Sequence, residues 1–150
     1  MRLVIQRVSR ASVNSPGFET ASVGKGMLIL TGIEENDTIE DAEWLAGKVA
    51  RLRIFADSMG VMNLSVGEIG GSILVVSQFT LHASTRKGNR PSYIRAARPE
   101  TAVPLFESFV RLLKETTGLT VETGWFGAMM QVELVNDGPV TIIIDSKIRE

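Results

Sequence analysis

The chain has no cysteine, which excludes a disulfide framework and rules out thiol catalysis. That absence suits the cytoplasm, and a cytoplasmic location is expected. Histidine is nearly absent as well. With one histidine and no cysteine, no zinc site is expected, because zinc usually takes several such ligands. No other metal or cofactor signature stands in its place. Glu34, Glu35, Glu40, Asp41 and Asp137 fall in no spacing that demands a metal or an acid–base pair. The glycine-rich GEIGG (67–71) lacks the lysine and the strand–loop–helix setting of a phosphate-cradling loop. Long apolar runs are also missing. None approaches the ~18 residues that a membrane-crossing helix needs. The opening MRLVIQRVSRASV is too short, and too interrupted by Arg2 and Arg7, to be a secretory signal. No membrane partner is expected. Basic charge is not in excess: the net charge of −1 argues against broad nucleic-acid binding, DNA included.

What is present reads as a globular protein. Hydrophobic residues are 44% and charged residues 22% of 150, enough apolar material for one core, so a single domain over residues 1–150 is expected. RLVIQRV (2–8), continued by ASV, reads as a first strand, and MLILTGI (27–33) as a buried one. Asp37, with Glu40 three residues on, opens a helix whose apolar face is Ile39, Ala42, Leu45, Ala46, Val49 and Leu52. RIFAD (53–57) and SILVVSQFTL (72–81) follow as strands. A second helix begins at Pro99, presents Val103, Phe106, Phe109, Val110 and Leu113, and ends at Gly118. LTVET, MMQVELV and PVTIIID complete the strands. Two helices that do not alternate with every strand favour an α+β or barrel-like domain over a doubly wound sheet.

Four stretches could carry chemistry. RKGNRPSYIRAAR (86–98) holds Arg86, Lys87, Arg90, Arg95 and Arg98 with no acidic residue. It is either a solvated loop or a phosphate-contacting patch with Tyr93 available to stack. In SILVVSQFTL, a regular strand puts Ser77, Phe79 and Leu81 on one face and Gln78, Thr80 and His82 on the other. Thr80 and His82 then lie roughly 6 to 7 Å apart, beyond hydrogen-bond reach. A histidine-activated hydroxyl is not expected, and His82 reads as an exposed strand-end residue. The polar SQFT is either a strand end entering solvent or a cleft wall. In the second reading its backbone N–H groups hold an oxyanion, while Gln78 or Thr80 holds a water or a substrate hydroxyl. GWFGAMM (124–130) is either core and rim or an apolar seat for a base. NDGPVT (136–141) reads first as a hairpin loop. Pro139 complicates that, because it lacks an N–H and belongs at a strand's first residue or its edge.

Together SQFTL (77–81) and NDGPVT (136–141) resemble the signature motifs of the bacterial D-aminoacyl-tRNA deacylases. The likeness runs nearly end to end through IQRVSRASV, LRIF, MNLS, LVVSQFTL, RKGNRPS and FGAMMQVELVNDGPVT. It implies an α+β fold of mainly antiparallel sheets curled into a barrel-like core with two or more flanking helices, and a homodimer. It implies hydrolysis of the ester joining a D-amino acid to the 3′-terminal ribose of tRNA, and removal of glycine mischarged on tRNA for alanine, without a cofactor. The resemblance makes Gly138-Pro139 a cis unit that reaches into the partner's site and excludes L-amino acids, with Arg7 fixing its carbonyls. Ser77, Gln78, Phe79 and Thr80 would line the scissile ester. An aminoacyl ester is already activated, so positioning and oxyanion stabilisation suffice, and Thr80 is the candidate to orient water or substrate. Phe126 and Met130 are candidate seats for the terminal adenine, and Arg86, Lys87 and Arg90 for tRNA phosphates. Trp125 stands where many relatives carry Arg, and Met129 where many carry Asp, which removes charge near the cleft mouth. A non-catalytic RNA-end binding module and an esterase of small esters are the alternatives.

Overall fold

A computed structural model describes residues 1–150. Its framework is β1 (Arg2–Asn14), whose two edges are both used. One edge pairs antiparallel with β2 (Ala21–Val23) and β3 (Gly26–Gly32), the other with β8 (Gln131–Asp145). Next to β3 lies β6 (Ser72–Ser77), then β7 (Val121–Thr123), both added in parallel. Parallel neighbours need a long crossover. Helix α1 (Ile39–Arg51) lies between β3 and β6, and α2 (Pro99–Thr117) between β6 and β7. A small hairpin of β4 (Phe55–Ala56) and β5 (Met62–Leu64) stands apart. The result is α+β, with two helices against a curled, nearly closed sheet.

Burial explains the curl. β3 and β6 are apolar on both faces. Met27, Ile29, Ile73 and Val75 join the larger core with Leu45, Val49, Phe106 and Phe109 of the helices. Leu28, Leu74 and Val76 join Val8, Val13 and Val23 in a second core inside the curl. In β1 the buried positions are Leu3, Ile5, Val8, Ala11 and Val13, so the two-residue step twice becomes three. The β1–β8 register shifts twice over the same stretch, around Arg7 and Ser9. The first shift places its surplus residues in β8, the second leaves Ser9 of β1 unpaired, and β1 gives Leu3 and Ile5 to the larger core and Val8, Ala11 and Val13 to the inner one.

Several expected elements change. MMQVELV and PVTIIID are one strand, β8, and NDGPVT is no hairpin loop. SILVVSQFTL stops being a strand at Ser77 and enters a 3₁₀ turn, Phe79–His82. RIFAD contributes only Phe55–Ala56. Helix α1 is capped by Thr38 and Asp41 rather than Asp37 and Glu40: the Asp41 carboxylate accepts the Thr38 N–H at 2.8 Å. Asp37 is buried and engaged elsewhere, taking the Met1 ammonium at 2.5 Å and the Glu34 N–H at 2.7 Å. Pro99 and Gly118 bound α2 as expected.

Candidate active site

The apolar run ILVV carries β6 through the core, and the chain reaches the surface at Ser77. Gln78 extends the ladder by one bond, its N–H donating to Thr31 O at 2.8 Å. The backbone then tightens: Leu81 N–H donates to Gln78 O, and Ala83 N–H to Thr80 O. This turn brings together side chains that a strand would hold apart. Gln78 Nε2 donates to Thr80 Oγ1 at 2.5 Å. Arg2 Nη1 holds the far end of the turn through Leu81 O at 2.9 Å.

His82 corrects its sequence reading. It is fully buried, and neither ring nitrogen has a hydrogen-bond partner. Glu34 Oε1 lies 3.5 Å from Nδ1 and 2.5 Å from Arg95 Nη2. Burial pushes the His82 pKa below its ordinary value, against the opposing pulls of the Gly32 backbone and the Glu34 carboxylate. A neutral, buried ring beneath the turn serves packing, and no hydroxyl is paired with it.

Between the turn and the 126–132 segment lies a cleft of about 310 Å³. Ser77, Gln78 and Phe79 form one wall, Phe126, Met129 and Met130 another. Thr31 lies at its buried base, and its hydroxyl has no hydrogen-bond partner. Sequence reasoning missed Thr31. Its only signal was a polar residue inside an apolar strand. Thr80 is not among the lining residues and adjoins the cleft through Gln78. Phe79 meets Tyr93 edge to face at 5.0 Å, tying the basic segment to the turn. Ser84 and Ser92 exchange backbone bonds of 2.8 and 2.9 Å, closing that segment into a loop. Arg86, Lys87 and Arg90 are exposed on it and form no ion pair.

Gly138 and Pro139 lie elsewhere in the chain and do not line this cleft. Val8 pairs with Asn136 and Gln6 with Thr141, so residues 137–140 of β8 stand opposite Arg7 alone. The surplus backbone is pushed out as an exposed bulge with a cis Gly138-Pro139 bond. Two side chains hold it. Asn136 Oδ1 accepts the Val140 N–H at 2.8 Å, the first donor after the proline. Arg7 Nε donates to Asp137 O at 2.7 Å, while Arg7 Nη1 donates to Ile54 O at 2.7 Å. The carbonyl that Arg7 holds is thus the one before Gly138. Gly138 has φ +149°, and an added Cβ would lie 2.7 Å from Val140 Cγ2, so only glycine fits.

Comparisons with known proteins place the whole chain in one family. The model of one family, D-Tyr-tRNA(Tyr) deacylase, matches residues 4–145. The chain belongs to that family. A D-aminoacyl-tRNA deacylase of Akkermansia muciniphila is 65% identical over the full length of both chains. One of Flavobacterium johnsoniae is 59% identical, again over both full lengths. Among solved structures, the c-Myc DNA Unwinding Element Binding Protein superposes with a TM-score of 0.91 at 40% identity, covering 97% of this chain and 98% of its own. A probable eukaryotic D-amino acid tRNA deacylase gives 0.83 at 16% identity over 95% and 97%, which speaks for the fold alone. Within this deacylase family frame, the turn and the 126–130 segment share one cleft, and the bulge and the basic loop lie outside it.

Proposed function

We propose that the chain, as one domain over residues 1–150, hydrolyses the ester between a D-amino acid and the 3′-terminal ribose of tRNA. The products are free D-amino acid and tRNA. The observation that carries this reading is the cleft walled by Ser77, Gln78 and Phe79 in a member of the deacylase family. Water attacks the ester carbonyl carbon, the carbonyl oxygen takes the charge, and the ribose oxygen leaves with a proton. The Gln78 N–H is committed to Thr31 O. The oxyanion therefore falls to the N–H of Phe79, which lines the cleft, opens the turn and has no preceding intrahelical carbonyl. Thr80 positions Gln78, and the Gln78 amide orients water or the ribose hydroxyls. Phe126 and Met130 give the terminal adenine an apolar seat. Arg86, Lys87 and Arg90 take backbone phosphates.

Chiral selection needs a second copy. The Gly138-Pro139 bulge is exposed and absent from its own chain's cleft, which favours insertion into a partner's in a homodimer. Its carbonyls accept the substrate ammonium and fill the space where an L side chain would project. Glycine has no side chain to exclude, so glycine carried on tRNA for alanine is cleaved too. A tRNA substrate puts the enzyme in the cytoplasm.

The deciding experiment compares matched D- and L-aminoacyl-tRNA. Loss of the D-ester with the L-ester spared is expected. Binding without turnover would make the chain an RNA-end module, and equal cleavage of both would make it a general esterase. One solved relative is named for binding DNA. Free arginines serve any polynucleotide backbone, so turnover decides and binding does not.

A further inference from the structure

Outside the cleft, Phe18 and Trp125 stack with ring centroids 4.6 Å apart and planes 25° from parallel. Neither ring lines the cleft, yet both are fastened to its wall. Trp125 precedes Phe126 and packs with Met130 on the inner core. Ser15 Oγ donates to Met129 O at 2.8 Å, which ties the turn carrying Phe18 to the segment that forms the wall. Phe18 is 52% exposed, and Met129 on the wall segment is 85% exposed. A single exposed ring is ordinary. A flat ring held parallel to a second one, on a turn pinned to a cleft wall, is a prepared surface.

We propose that the Phe18–Trp125 stack is a shelf for an unpaired nucleobase, the one that precedes the terminal nucleoside in the cleft. This rests on the deacylase reading. If the cleft holds the aminoacylated nucleoside, the strand must leave across its rim. Trp125 covers one face of Phe18, and a base lying on the other face continues the stack to three rings. Every base has such a face, so the shelf is indifferent to sequence. The opposite wall supplies the charge that suits a polynucleotide: Arg86, Lys87 and Arg90 are exposed on the loop that Tyr93 ties to Phe79, with no carboxylate paired to them. The shelf carries no charge itself, so it contributes affinity that salt does not screen.

The test uses two substrates, full-length D-aminoacyl-tRNA and the same D-amino acid esterified to adenosine alone. Phe18→Ala is expected to raise KM for the tRNA by about tenfold, the usual effect of losing one base–aromatic stack. Its kcat is expected to hold. KM for the adenosine ester, which has no preceding base, is expected to change less than twofold. Phe18→Trp should restore the tRNA KM, which separates stacking from a folding defect. Trp125→Ala should reproduce Phe18→Ala. An unchanged tRNA KM overturns the shelf, and so does an equal rise for both substrates. A wild-type protein that leaves both D-esters intact sinks the deacylase reading instead. The shelf then stands only if an unpaired RNA trinucleotide quenches Trp125 emission in a Trp44→Phe background, and falls if it does not.

Discussion

Thr80 and His82 are two residues apart, and the structure gives them opposite roles. The Thr80 hydroxyl takes the Gln78 amide at 2.5 Å, so it fixes a side chain that lines the cleft. Thr80→Ala frees Gln78 and should lower kcat for the D-ester by about 10²-fold with KM little changed, the usual effect of a slightly misplaced polar group. Thr80→Ser should keep most of the rate, and single-turnover deacylation reads both. Full activity in Thr80→Ala would remove Thr80 from the mechanism. His82 is a pH matter. Burial lowers its pKa in the folded chain, while in the unfolded chain it titrates near the ordinary value of ~6.5. The unfolded state therefore binds the extra proton first as pH falls. The contribution to stability is complete above pH ~6.5 and is lost progressively below it. Asp41 and Asp145 behave differently. Burial opposes their ionisation, but hydrogen bonds outweigh it, from Lys147 and Ser146 to Asp41 and from the Lys147 N–H and Arg2 to Asp145. Both pKa values are lowered, so their loss falls below pH ~4. His82→Phe should flatten the urea-unfolding profile between pH ~6.5 and ~5 and leave the steeper loss below ~4 intact.

Much of the element-scale structure was legible, and the misses have specific causes. In β1 the step from Val8 to Ala11 matches its own bulge at Ser9, whereas the step from Ile5 to Val8 passes from the larger core to the inner one, and the surplus residues opposite Arg7 belong to β8. The ends of α2 were legible because Pro99 and Gly118 act locally. In α1 the expected pair was Asp37 with Glu40, and the structure uses Thr38 with Asp41. The miss arose because Asp37 is buried against the Met1 ammonium, a contact 36 residues away that nothing local announces. The SQFT turn was misread because polarity alone does not separate a strand end from a helical turn. His82 was misread with it, since nothing local shows that a ring will be buried. NDGPVT looked like a loop because Asn, Asp, Gly and Pro are all turn formers. As part of β8 the same residues make a bulge, where a proline without an N–H costs the ladder nothing. Glycine is decisive at one further junction. Gly26 starts β3 with φ +157°, and an added Cβ would lie 1.8 Å from Ser72 O, the first residue of β6. Neither backbone can yield without breaking the central parallel pair. Gly26→Ala should cost at least about 3 kcal/mol, seen as a lower urea midpoint. A midpoint equal to wild type would mean that the junction relaxes.

At the scale of the whole molecule the open question is the outer edge of β8. Only β1 pairs with this strand of 15 residues, which leaves a long edge of free N–H and C=O groups. Such edges invite another chain. The neighbouring surface is also unfinished. Ile143 is 67% exposed on β8 and Ile148 is 57% exposed after it. Both border a groove of about 580 Å³ that Trp44 and Leu52 share. The Gly138-Pro139 bulge on the same strand does not line its own chain's cleft, and the proposed chiral selection needs it in one. A homodimer formed along β8 would answer both needs at once. Ile143→Lys places a charge in that contact without touching the core, because Ile142 and Ile144 are the residues of this stretch packed against it. The variant should keep its circular dichroism and sediment as a monomer at concentrations where the wild type is a dimer. Hydrolysis of D-aminoacyl-tRNA should fall at least tenfold and recover in part as protein concentration rises, by mass action. A monomeric variant that still cleaves D-esters at the wild-type rate and spares L-esters would show that each chain completes its own site. The cross-subunit account would then be wrong.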